Sequence, residues 1–507
     1  VEIIAMAALM VLTATLFLTL IPRSAKFFHG QLLDTVDNAP LYFFTSTDVG
    51  EIVNRFSQDL GVIDMELPLA GLIFANNSCT AVIQAIMVCI STSYFAIVLP
   101  FVLFAMYILQ KFYLRTSRQI RLMDLEAKAP LYSNFLETLS GLVTIRAFGW
   151  TKEMEDRNMA LLDISQRPFY LLFCIQRWLT LVVDLMVAAL AVILVAMIVR
   201  FRHTASAGFV GVALINIMSF NQTISVVIQH WTAVETSIGA ISRIKSFVDS
   251  TPSENLPQEI QQVPEEWPSN GSIVVSEITA SYSFDQKSAL EEINLCIPAG
   301  QKFGICGPSG SGKSSFVALL FHMLEINSGS ITIDGIDIST MPRKMLRERL
   351  TVIPQDPIFL KGTIKQNLDP LDLVSSDSAA ETALKTVGLW TTVADAGGLD
   401  IPMDAENLLS HGQRQLFCLA RAMLRESKIL VIDEATASVD LQTDELMQRI
   451  IAERFKDCTI IAVAHRLQTI RNFDRIAVFG NGRVVEYGEP DVLMADEGSK
   501  FRALWDA

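Results

Sequence analysis

The sequence predicts a multi-domain protein: an all-α polytopic membrane domain followed by an α/β domain of the phosphate-loop (P-loop) type. Three observations predict it. Charge is divided unevenly, with 17 basic against 18 acidic side chains in residues 1–250 and 23 against 36 in residues 251–507. Uncharged stretches of membrane-spanning length all fall in the first half. The second half holds Gly307-Pro308-Ser309-Gly310-Ser311-Gly312-Lys313-Ser314, a glycine-rich loop between a strand-like and a helix-like run.

At 507 residues the chain is too long for one domain. Its net charge of −14 sits almost wholly in the second half, and that sign gives no support to a nucleic-acid partner, which favours a basic face. Seven scattered cysteines fit neither a zinc site nor a disulfide framework and read as reduced thiols. The chain opens at Val1 inside an apolar run with no signal peptide ahead of it, so earlier sequence is expected to be missing.

A helix needs about 20 mainly apolar residues to cross the hydrocarbon. Ile3–Pro22 meets that length without a charge, and Leu67–Gln110 is uncharged for long enough to cross twice with a turn near Ser91–Tyr94. Residues 168–199 carry only Arg177 and Asp184, and 204–234 carry no charge. Five spans result: 3–22, 67–90, 93–110, 168–199 and 204–234. Arg23 and Lys26 after the first, and Lys111, Arg115, Arg118 and Arg121 after the third, place those ends in the cytoplasm. The soluble half lands on the same side, although Arg200, Arg202 and His203 oppose the rule. Residues 23–66 and 111–167 read as helices continuing past the membrane. Residues 251–271 contain four prolines and read as an unpacked linker between a membrane domain, 1–250, and a soluble domain, 272–507.

In the soluble half, the loop glycines let consecutive backbone N–H groups face phosphate oxygens, and the following helix adds its dipole. Lys313 is expected to reach the β- and γ-phosphates, with Ser314 on Mg²⁺. Lys428–Glu434 is a buried-strand pattern ending in two carboxylates. Asp433 suits Mg²⁺, directly or through water, and Glu434, leaving the strand on the other side, suits a general base on the attacking water.

With these residues in hand, the chain resembles the ABC transporter family. Leu409-Ser410-His411-Gly412-Gln413 is similar to its signature sequence, Gln355 to its Q-loop glutamine, Ser438-Val439-Asp440 to its D-loop and His465 to its switch histidine. Tyr282 stands where the family has an aromatic against adenine; a strand-face tyrosine is the alternative. The resemblance implies an ABC exporter-type membrane domain and a P-loop NTPase domain with an ABC-specific helical subdomain. It implies ATP contacts from Tyr282 and Gly307–Ser315 (Ser315 included), and Mg²⁺ contacts from Ser314, Gln355 and Asp433. Catalysis is implied at Lys313, Gln355, Glu434 and His465. Ser410, His411, Gly412 and Gln413 are implied to touch a partner site's ATP. His411 either crowds that approach or is tolerated because Ser410 and the backbone amides suffice.

A narrower resemblance is to the C subfamily, the multidrug-resistance-associated type. It rests on Phe43-Phe44-Thr45, Gly50–Asp59, Gly141–Phe148 and Trp267-Pro268. Glu434 together with His411 matches that subfamily's second nucleotide domain. It implies six spans per half, so one span and a whole first half, bearing the completing signature, are expected beyond this chain. Short coupling helices are implied near Pro40–Thr45 and Pro130–Phe135. ATP-driven export of small organic substrates, amphipathic or anionic, from a lipid membrane is the implied activity; a gated channel or channel regulator is the alternative. Arg177 and Asp184, two helical turns apart, either line the substrate cavity or form an inter-helix ion pair.

Overall fold

A computed structural model describes residues 10–11, 13–91, 97, 99–200, 207–283, 286–371, 376–404, 408–435, 439–464 and 466–506. The start of the first expected span, the turn at 92–94, and Arg202 and His203 lie outside these residues. The chain divides into two compact units, residues 1–36 with 49–250, and residues 37–48 with 251–507.

The first unit is all helix. Its elements are α1 (Ile21–Asp37), α3 (Val49–Asn54), α4 (Leu67–Ser91), α5 (Leu99–Ser140), α6 (Leu142–Phe148), α7 (Thr151–Arg200) and α8 (Ala207–Ser250), while α2 (Leu41–Ser46) belongs to the second unit. The 42 residues of α5 and 50 of α7 span roughly 63 and 75 Å at ~1.5 Å per residue, far beyond the ~30 Å of hydrocarbon. Among the described residues, Val49–Ile90 and Thr151–Ile193 are long and apolar enough to cross a membrane. Only 6% and 11% of their apolar windows are buried, which is unlike the core helix of a soluble domain.

Apolar side chains join these helices in clusters. Val88, Val102, Leu190 and Ile217 form one cluster; Leu109, Tyr113, Leu179, Val183 and Ile228 form another. Between α3 and α4 lie two π-helical turns, Arg55–Asp59 and Val62–Glu66. Asp59, 4% exposed, accepts from Arg55 at 3.0 Å and from Arg243 Nε at 3.1 Å, joining this segment to α8. The short α2 follows Pro40 as expected. The second expected coupling helix is not a separate element: α5 runs unbroken through Pro130, and the next short helix is α6, started at Gly141 and stopped by left-handed Gly149.

The second unit is α/β. A four-stranded antiparallel sheet runs β2 (Leu290–Ile297), β1 (Ile273–Ser281), β4 (Glu325–Ile333), β5 (Ile336–Asp337). A six-stranded sheet runs β10 (Arg483–Gly488), β9 (Arg475–Gly480), β3 (Lys302–Cys306), β8 (Thr459–Val463), β7 (Ile429–Asp433), β6 (Thr351–Ile353). Strands β9, β3, β8, β7 and β6 are mutually parallel and β10 is antiparallel. The strand β8 is buried throughout and β7 at all but its last residue, because a parallel sheet is covered on both faces. Helix α9 (Lys313–Leu320) leaves β3, and α10 (Arg343–Arg349) precedes β6. A helical region holds α11 (Ile364–Leu368), α12 (Asp377–Thr386), α13 (Trp390–Ala396) and α14 (His411–Met423), and α15 (Leu441–Arg454) follows β7.

Residues 251–271 depart from the expectation of an unpacked linker. Their prolines prevent regular structure, but their side chains are anchored. Trp267 is 5% exposed, with Nε1 donating to the Ile333 carbonyl at 3.0 Å. Asp334 accepts from the backbone N–H groups of Asn270, Gly271 and Ser272, which hold its carboxyl below the usual range against the effect of burial. Glu259 meets the fully buried Arg343 at 3.0 Å.

Candidate nucleotide site

Strand β3 ends in buried Cys306, whose thiol burial pushes up to about 12, and the chain then turns through the glycine-rich loop into α9. Gly307 has φ +147°, and a Cβ there would lie 2.3 Å from the Phe479 carbonyl oxygen, so no larger residue fits. Gly310 and Gly312 are also left-handed, while Pro308 accepts from Ser311 N–H at 3.2 Å to close the turn. Lys313 is 5% exposed and curls back over the loop, its Nζ donating to the carbonyls of Gly307 at 2.9 Å and Pro308 at 3.1 Å. Ser309 is exposed in the loop, and Ser314 is exposed on the first turn of α9.

Opposite Lys313, β7 delivers Asp433. Burial raises its carboxyl pKa, Glu434 raises it further, and Lys313 opposes both. Its Oδ1 is buried without a hydrogen-bond partner among the described residues. That orphaned carboxylate oxygen, with the Ser314 hydroxyl on the loop's helix, fits a Mg²⁺ ion held mainly by phosphates and water. Glu434 leaves the strand with φ +47°, unusual for a residue with a Cβ, and its N–H donates to the Val463 carbonyl at 3.1 Å. It lines a separate cavity of about 290 Å³ beside β8 and α15. Of the two adjacent carboxylates, Glu434 and not Asp433 lines that cavity.

A larger cavity of about 1150 Å³ has one wall formed by Gly310, Gly312, Lys313, Ser314 and Ser315. Its other wall is Lys287, Ser288, Ala289, Glu291 and the β9–β10 turn. Sequence reasoning passed over that turn, although Asn481-Gly482 between two apolar runs is a hairpin signal. Asn481 at φ +53° and Gly482 at φ +77° make it, and Gly482 N–H donates to the Ser311 carbonyl at 2.9 Å, buttressing the phosphate loop. Tyr282 is tied to the same helix by a 3.1 Å hydrogen bond between its hydroxyl and Ser315, but it does not line this cavity.

The signature residues begin α14. Ser410 is its N-cap in a reciprocal capping box: Gln413 N–H donates to Ser410 Oγ at 3.3 Å and Ser410 N–H to Gln413 Oε1 at 2.9 Å. His411 is exposed at the first helical position. Gly412 faces Asp440; a Cβ there would lie 3.4 Å from Asp440 Oδ1, so signature and D-loop adjoin. Asp440 is the N-cap of α15, and the Thr443 hydroxyl and N–H hold its carboxyl below the usual range. Gln355 is exposed just beyond β6, its carbonyl accepting from Gln415 Nε2 at 2.6 Å. Gln415, buried at 1% exposure, had no sequence signal. His465 and Ser438 lie outside the described residues.

In the first unit, Arg177 and Asp184 are both exposed on α7. The expected ion-pair alternative does not form among the described residues: Asp184 instead accepts from Asn221 Nδ2 on α8.

Comparison with known proteins places both halves. Residues 3–227 match the ABC transporter transmembrane region, and residues 290–437 match the ABC transporter domain. ABC multidrug transporter B of Aspergillus fumigatus is 51% identical over 96% of this chain and 33% of its own length. ABC transporter ecdL of Aspergillus rugulosus is 45% identical over 96% and 33%. ABC transporter gloK of Glarea lozoyensis is 46% identical over 97% and 37%. The chain spans about a third of the length of these relatives. With a helical transmembrane region followed by a nucleotide-binding domain built around the phosphate loop, the chain belongs to the ABC transporter family.

Proposed function

We propose that this chain supplies the membrane and ATP-hydrolysing parts of one half of a C-subfamily exporter, which moves small organic substrates, amphipathic or anionic, out of the cytoplasm. The observation that carries the reading is Asp433 at the end of β7, whose Oδ1 is buried without a partner among the described residues and whose carboxyl feels the charge of Lys313 on the phosphate loop. In this reading the loop amides and Lys313 bind the triphosphate of ATP. Ser314, Gln355 and Asp433 would hold Mg²⁺, which neutralises charge developing on the γ-phosphoryl group. Glu434 takes the proton of the attacking water, and His465 contacts the γ-phosphate. Five spans, with the nucleotide-binding domain on the cytoplasmic side, surround the substrate path, and Arg177 and Asp184 face it.

ABC chemistry in this reading is shared between two domains. A second ABC domain, for which relatives three times as long have room, supplies the signature that completes the site at Lys313. Ser410–Gln413 completes the partner's site in return. Inside-out membrane vesicles test the whole. ATP-dependent uptake of a fluorescent organic anion is expected with the native protein and its loss with Glu434→Gln; uptake unchanged by that substitution would end the pump reading.

A further inference from the structure

The proline-rich segment 251–271 is the only covalent route from α8 into the second unit, and its fixation is more elaborate than a tether needs. Arg347 on α10 forks onto Glu254, with 2.6 Å from Nη1 to Oε1 and 2.8 Å from Nη2 to Oε2. The same guanidinium donates to the carbonyls of Phe321 and His322, so Glu254 is not its only anchor. One turn earlier, Arg343 holds Glu259 and Glu325 with no exposed surface. Bidentate guanidinium–carboxylate pairs fix orientation as well as distance.

The segment is also tied to the other chain exit of the membrane domain. Helix α1 ends at Asp37, and the next residue, Asn38, accepts at its backbone carbonyl from Glu254 N–H at 2.7 Å. Its side-chain oxygen accepts from Asn255 Nδ2 at 2.6 Å. Residues 37–48, which carry α2, accordingly group with the nucleotide-binding unit. Helix α10 then leads directly into β6 and, two residues later, Gln355.

We propose that this segment is a clasp in which Glu254 is a positioning residue: it joins the exits of α1 and α8 to each other and to α10, so that motion at Gln355 and motion of α2 are transmitted together. The proposal rests on the exporter reading for its transport readout, and its own step is mechanical.

The test uses the intact protein in inside-out vesicles. Glu254→Ala and Asn255→Ala, each checked by thermal melting for folding, should lower uptake per ATP hydrolysed at least fivefold while hydrolysis stays within twofold. A merely structural role would lower expression and both activities in proportion, and that result, or an unchanged ratio, would overturn the proposal. A second arm does not depend on transport. In Asn38→Cys with Asn255→Cys, a short bifunctional thiol reagent should bridge the pair equally well with and without MgATP. Bridging lost on adding MgATP would mean that the clasp opens, and the proposal would fail. Failure of the exporter reading is distinct: the native protein would then show no ATP-dependent uptake at all.

Discussion

Gln415 Nε2 donates to the backbone carbonyl of Gln355 at 2.6 Å, linking the signature helix α14 to the segment after β6. Gln415 is buried and its other side-chain atom, Oε1, has no partner among the described residues, so this one bond accounts for its orientation. Gln415→Leu keeps the volume and removes the donor. A net loss of about 1 kcal/mol is expected in chemical denaturation. Nucleotide affinity should hold within about twofold, while hydrolysis falls several-fold because Gln355 is no longer held against α14.

Asp433 provides a prediction in which stability and function separate. Its pKa is raised by burial first, so the ionised form destabilises the fold; the stability tied to its proton is present below the unfolded pKa and lost as pH rises through the folded one. Asp433→Asn should therefore raise the melting temperature of the nucleotide-free protein at neutral pH. Mg²⁺-dependent hydrolysis should be abolished in the same variant. A lowered melting temperature would show that the carboxylate has a stabilising partner in the protein.

Glu434 adopts φ +47°, where a Cβ is strained by ~1–2 kcal/mol. Glu434→Gly should recover part of that strain and slow unfolding, where Glu434→Gln should not. Both should hydrolyse ATP at least about a hundredfold more slowly, as expected for loss of a general base. Comparing the melts of the two variants separates backbone strain from chemistry.

Gly482 braces the phosphate loop through Ser311, and a Cβ on it would lie 2.7 Å from the Ala289 carbonyl oxygen. At φ +77° the substitution Gly482→Ala is strained as well as crowded, with a cost of roughly 1–3 kcal/mol. ATP affinity should fall with stability, since the loop loses its buttress. Calorimetric titration and melting on one preparation would read both.

Arg343 sits wholly buried between Glu259 and Glu325. Arg343→Ala would strand two carboxylates and should cost about 3–5 kcal/mol. Its neighbour His322, pushed down to about 3 by burial and then by Arg343 and Arg347, stays neutral through the physiological range. Because the unfolded imidazole protonates near 6.5 and the folded one only near 3, its contribution should be flat above pH 7 and stability should decline as pH falls from about 6.5 towards 5; a melting temperature unchanged between pH 8 and 5 would count against a buried neutral His322.

Much of the architecture is legible in the sequence. Charge-free runs of span length required helices in lipid, and the phosphate loop required a strand before it and a helix after it, because these signals depend on contiguous residues. Lys313, Ser314, Asp433 and Glu434 were found in this way. The continuous α5 through Pro130 and the packed 251–271 segment were misread because their outcome depends on partners distant in sequence. Nothing local to Glu254 or Trp267 announces Arg347 or the Ile333 carbonyl.

What the sequence determined by itself is the order of parts: membrane helices, connector, nucleotide-binding domain, and the residue types at each end of the phosphate loop. Tertiary structure alone decided which groups meet. It put the Asn481-Gly482 hairpin behind the phosphate loop, Gln415 on Gln355, Asn221 on Asp184 and Asn38 on Asn255. Hydrophobic periodicity and chain stiffness act over a few residues and are written along the chain, whereas a hydrogen bond between residues tens or hundreds of positions apart exists only after the sheets and helices have packed.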